Sequence, residues 1–91
     1  MRQQRRHRHG VEDAAGRAAE TRAHHDARLD ATEAALRAGA ETPFEVSMRL
    51  WGAHLGMHEQ RFALGEALAH LVRLRAVGRA GEYEPGRWRA S

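Results

Sequence analysis

The sequence predicts a mainly α fold in which three helices are followed by a small C-terminal β-hairpin. Three observations lead there. Residues 12–38 are almost all alanine, arginine, glutamate and aspartate without proline, a composition that favours helix. Thr42-Pro43-Phe44-Glu45 forms a T-x-x-E helix start. Residues from about 58 to 77 carry a regular helical stripe ending at Gly78, and Glu84-Pro85-Gly86-Arg87 beyond it suits a hairpin turn.

The first helix is interrupted only by Gly16 and ends before Gly39. Leu29, Thr32, Ala35 and Leu36 recur at helical spacing, so its second half packs on a core. Its first half offers only a shallow alanine-lined face, suited to contact with something else. In the second helix, proline occupies the first turn, where its missing N–H costs nothing. Val46 and Leu50 lie one turn apart before the helix ends near Trp51. Gly52 and Gly56 bracket a tight turn. The third helix places Leu64, Ala67, Leu68, Leu71 and Leu74 on its predicted inner face, with Phe62 and Val72 at the edges. Its predicted outward positions are Glu59, Ala63, Glu66, His70 and Arg73. In the hairpin, Pro85 and Gly86 fit positions i+1 and i+2 of a type II turn, and Trp88 covers the open end of the helical core. The predicted core is therefore Leu29, Leu36, Val46, Leu50, Leu64, Leu68, Leu71, Leu74 and Trp88.

A long helix, a short helix, a tight turn, a long helix and a hairpin follow the order of a winged helix-turn-helix. A bare three-helix bundle with an irregular tail is the alternative. With 91 residues, the chain is one small domain, read as a disordered basic arm (1–11), the connecting and first helix (12–38), and the remainder of the domain (39–91).

Composition narrows the chemistry. The absence of cysteine excludes disulfides, thiolate zinc sites and cysteine nucleophiles. No stretch approaches the ~20 apolar residues of a membrane span, and the N-terminal arginines lead into no apolar leader, so an intracellular, cytoplasmic protein is expected. The basic balance is local. Arg2, Arg5, Arg6 and Arg8 lie in the first nine residues, whereas residues 10–91 hold eleven arginines against twelve acids. A nucleic-acid reading would use Arg5, Arg6 and Arg8 together with Arg87 and Arg89, but the mixed charge on the third helix is a poor match to a major groove.

Seven histidines require a test for metal binding. His58-Glu59-Gln60-Arg61-Phe62 begins like H-E-x-x-H and fails at Phe62. His54 and His58 straddle a turn with no third ligand nearby, and His24 and His25, being adjacent, point in different directions from a helix. His70 is expected on the outer side of the third helix. Ser47 and Ser91 belong to no nucleophile–base constellation, and carboxylate pairs such as Glu41 and Glu45 are explained by helix capping.

The ordered series from His24 to Ala90 resembles a known family. It includes Glu33-Ala34-Ala35-Leu36, Thr42-Pro43-Phe44-Glu45-Val46, Trp51-Gly52, the run from Ala69 to Arg79 and Gly86-Arg87-Trp88. Together these are similar to the winged-helix domain at the C-terminus of metallo-β-lactamase-fold hydrolases. His9-Gly10-Val11-Glu12-Asp13 is similar to the end of that family's P-G-H-G-P loop, which makes His9 the candidate remnant of its last metal ligand. Arg8 replaces a glycine there and the prolines are absent. The family's H-x-H-x-D-H motif is missing, since His7-Arg8-His9 is followed by Val11 where the aspartate belongs. The resemblance implies zinc in complete family members and none bound by this chain. It also implies a catalytic domain as partner, an accessory role without activity alone, and a chain that is a fragment of the hydrolase.

Overall fold

The computed structural model describes the backbone of all residues except Met1 and Ala53, and the side chains from Gly16 onward apart from Ala53. It contains helices α1 (Arg2–Arg37), α2 (Pro43–Trp51) and α3 (Met57–Ala76), then strands β1 (Ala80–Glu84) and β2 (Arg87–Ala90). The fold class is the predicted one, three helices and a two-stranded antiparallel hairpin.

α1 begins at Arg2, ten residues ahead of the helix start that composition suggests, and runs through Gly16 without interruption. Arginine and glutamine, which dominate its start, are good helix formers. The readings placed on Arg5, Arg6, Arg8 and His9 fall on side chains outside the described residues. Residues 16–27 are exposed throughout, and burial begins only at Arg28 and Leu29. Thr32 is fully buried with Oγ1 donating to the Arg28 carbonyl at 2.7 Å, so its hydroxyl enters the core already satisfied.

The ends of α1 and α3 are closed alike. Gly39 has φ 110°, and the Ala40 and Gly39 N–H groups donate to the Ala35 and Leu36 carbonyls, each at 3.0 Å. Gly78 has φ 78°, and Arg79 and Gly78 donate to Leu74 and Arg75 at 2.8 and 3.1 Å. Both are Schellman motifs, which need a residue at positive φ and so favour glycine. At α2 the capping box forms as the sequence predicts. The Thr42 hydroxyl accepts from Glu45 N–H at 3.1 Å, while Glu45 Oε1 accepts from the N–H groups of Glu41 and Thr42 at 3.0 and 3.1 Å. Those two backbone donors hold the Glu45 carboxyl below its ordinary value.

Ala35, Leu36, Ala40, Val46, Ala67, Leu71, Leu74, Ala80 and Trp88 form one core cluster, with Leu29, Leu50, Trp51 and Ala90 packed against it half-buried. Two predicted core residues are absent from it. Leu64 and Leu68 are 39% and 46% exposed, because α3 is turned about its axis from the predicted orientation and buries Ala63, predicted outward, beside the predicted Ala67, Leu71 and Leu74. Alanine at the contact lets α3 approach its neighbours closely, leaving no room at those positions for leucines.

The hairpin closes the open end of the helices. Gly86 takes the positive φ, 79°, that its turn position requires, and a register shift between Glu82 and Glu84 marks a bulge in β1. Trp88 is 2% exposed, as a core plug should be, and Arg75 lies over its ring at 5.1 Å. The Trp88 N–H donates outside the hairpin, to the Glu41 carbonyl at 2.7 Å, tying β2 to the segment between α1 and α2. Across the other side, Arg79 bonds Asp30 at 2.7 Å and Glu33 at 3.2 Å, anchoring the start of the hairpin on α1.

Candidate functional site

Two surfaces of the described residues bear on function. The first is a groove between α1 and α3, floored by Trp51, with a cavity of about 420 Å³. His24, His25 and Arg28 line its α1 side and Glu59, Phe62, Glu66 and His70 its α3 side. The Arg28 guanidinium lies over the Trp51 ring at 5.3 Å, and the His70 ring stacks beside that indole with centroids 6.4 Å apart and planes 28° apart. His70 was predicted on the outer side of α3, and here the same rotation that exposes Leu64 and Leu68 turns it into the groove. Its side chain is 14% exposed, and its enclosed Nε2 has no hydrogen-bond partner, with Glu66 Oε2 at 3.7 Å. Burial pushes the imidazole below its ordinary value; Glu66 opposes that shift, while Arg28, His25 and His24 add to it.

Among the described residues, no serine or threonine lines the groove. Ser47 is buried in α2 with Oγ donating to the Phe44 carbonyl at 2.7 Å, and Ser91 is exposed beyond β2. His54 lies in the loop after α2 and His58 in the first turn of α3, both exposed. Among the described residues, no group of three or more histidine, aspartate or glutamate side chains could hold a metal ion. The residues described therefore do not fit the zinc site that the resemblance implies for complete family members.

The second surface is the outer side of α3. Met57, Leu64, Leu68 and Val72 recur at intervals of seven, four and four, which puts them along one side of the helix. They are 74%, 39%, 46% and 41% exposed. Sequence reasoning missed this surface because it assigned Leu64 and Leu68 to the interior. The signal was present: α3 carries apolar residues on more faces than one core can cover.

Neither hairpin arginine is free for phosphate. Arg87 pairs with Glu41 at 3.0 Å and approaches Glu84 at 4.0 Å, while the Arg89 guanidinium lies over the Tyr83 ring at 3.8 Å. Tyr83 in turn donates its hydroxyl to Glu41.

These observations define a small domain of three helices closed by a hairpin, with exposed apolar side chains along α3. The family model described as "Metallo-beta-lactamase-like, C-terminal domain" matches residues 29–89, and the chain belongs to that family. The match begins at Leu29, where α1 first becomes half-buried, and ends in β2, so it coincides with the packed part of the fold. No curated protein and no solved structure matches the chain. Among the described residues, no helix is long and apolar enough to cross a membrane.

Proposed function

We propose that this chain is a winged-helix accessory domain that docks on a metallo-β-lactamase-fold, metal-dependent hydrolase domain and is not catalytic alone. The match of residues 29–89 to the C-terminal domain family carries this reading. The bond from Trp88 N–H to the Glu41 carbonyl supports the winged-helix description, since it joins the hairpin to the connection between α1 and α2. Large apolar side chains left uncovered along α3 support the docking role. Zinc, and the hydrolytic chemistry that a zinc-bound water supplies, belong in this reading to the catalytic domain. The cytoplasm is the compartment the same reading assigns.

The test is to titrate the purified chain with zinc and assay it against a thioester and a lactone. Neither stoichiometric metal binding nor turnover is expected. Stoichiometric zinc accompanied by hydrolysis would overturn the accessory role.

A further inference from the structure

We propose that the groove between α1 and α3 is a binding site for a small organic monocarboxylate with a flat apolar body, and that its occupation is coupled to uptake of a proton. The inference is independent of the accessory-domain reading, because every group it uses belongs to this chain's own helices and the loop between α2 and α3. The cavity of about 420 Å³ lies within the ~300–1,000 Å³ range of small-molecule sites. Trp51, Leu55, Phe62 and Ala63 give it an apolar lining. Phe62 is 76% exposed although it lines the cavity, so a flat ligand gains by covering its ring.

Charge selects the polar end of the ligand. Arg28 holds its guanidinium over the Trp51 ring at 5.3 Å, and none of the ion pairs among the described residues uses it. A guanidinium stacked on a ring keeps its N–H edges for a carboxylate fork. His24 and His25 stand on the same α1 side, whereas Glu59 and Glu66 stand on the α3 side. One carboxylate laid against α1 therefore meets a cation, while a second negative charge reaching α3 meets carboxylates.

His70 links that anion to a proton. Its Nε2 is enclosed without a hydrogen-bond partner, 3.7 Å from Glu66 Oε2, a state in which few buried polar atoms are left. Around the two cavities that His70 lines, α1 presents Arg22, His24, His25, Asp26 and Arg28, and α3 presents Glu59, Glu66 and Arg73; α2 adds only the uncharged Trp51. Arg28, His25 and His24 oppose a charge on His70, and Glu66 favours one. A ligand carboxylate beside Arg28 offsets the opposing cation. The imidazole then takes a proton from solvent, and Nε2–H becomes a donor to Glu66. One bound anion thus completes two pairs, ligand with Arg28 and His70 with Glu66.

The experiment titrates naphthoate into the full chain at pH 7 by calorimetry, in two buffers of different ionisation enthalpy, beside naphthamide and a naphthalene dicarboxylate. Saturable one-to-one binding of naphthoate is expected at about 1 mM or tighter, with net proton uptake. The amide and the dicarboxylate should each bind at least tenfold more weakly. Arg28→Gln should weaken naphthoate at least tenfold, and Glu59→Gln should strengthen it about threefold. Arg61→Gln, which removes the same charge from an exposed position outside the groove, should leave affinity within twofold. His70→Gln should remove at least half of the proton uptake. Equal affinity for naphthoate and naphthamide, or equal losses in Arg28→Gln and Arg61→Gln, overturns carboxylate recognition. A dicarboxylate that binds as tightly overturns the choice of a monoanion. No saturable binding up to about 5 mM overturns the site itself. Binding without proton uptake, or uptake untouched by His70→Gln, overturns the coupling.

Discussion

Leu71→Ala should destabilise the domain far more than Leu68→Ala or Leu64→Ala, although all three leucines fall on the face that periodicity assigns to the core. Leu71 is fully buried, whereas Leu68 and Leu64 are 46% and 39% exposed. Replacing a buried leucine removes three methylene-sized groups worth about 0.8 kcal/mol each. The void left between α3 and its neighbours adds to that, giving a loss of about 3 kcal/mol, within the range known for such substitutions. At Leu68 roughly half of the transfer term applies and no enclosed void forms. Alanine's better helix propensity offsets part of the remainder, so the loss is about 1 kcal/mol or less. For a chain of this size 1 kcal/mol shifts the melting temperature by roughly 4–8 °C, so the two outcomes are well separated. Urea unfolding followed by circular dichroism at 222 nm measures both, and an unchanged denaturant slope shows that the midpoints can be compared. Equal losses at Leu64, Leu68 and Leu71 would refute the rotation of α3 and restore the orientation predicted from the leucine pattern.

Two glycine substitutions should act in opposite directions in thermal melts. Gly65→Ala, helical and with open space where its Cβ would go, should gain about 0.5–1 kcal/mol. Gly78→Ala, at φ 78°, should lose about 1–2 kcal/mol; a gain at both would show that the α3 terminus is not held at positive φ. His70 should make stability depend on pH. Its folded value lies below the ordinary 6.5, mainly through burial, so on acidification the unfolded chain takes up this proton first. His70 therefore contributes a loss of stability that begins as pH falls through 6.5 and ends below its folded value. His70→Gln should reduce the drop in urea midpoint between pH 7.5 and pH 5.5, and an unaltered drop would mean that the imidazole ionises freely in the groove.

Local signals in this sequence were readable because each depends on a few adjacent residues. Gly39 and Gly78 end their helices through positive φ, Thr42 and Glu45 cap each other, and Pro85-Gly86 turns the hairpin that seats Trp88. The family resemblance was readable from the same landmarks. What could not be read was the rotation of α3 within its inward side, which buries the predicted Ala67, Leu71 and Leu74 but exposes Leu64 and Leu68. Leucines occupy an arc of the helix wider than its contact with α1 and α2, and the side actually buried is the one where Ala63 and Ala67 permit close approach. That choice depends on the shape of the opposing helices, which no window of α3 contains. The groove followed the same fate, since placing His70 against Trp51 and Arg28 requires the rotation to be known.

Among the described side chains of α1, those that pack lie toward its C-terminal end. The core grips it from Leu29 to Leu36, Arg79 pins Asp30 and Glu33, and the stretch from Gly16 to Ala27 is exposed. From Thr32 back to Gly16 is about 24 Å at 1.5 Å per residue. A lever of that length, pivoting by 5° at its clamp, carries its far end through about 2 Å. Small repacking around Thr32 or a loosened Arg79 is thereby magnified along the helix axis, so the direction of the stretch from Gly16 to Ala27 is set by two acid–base pairs and a buried threonine.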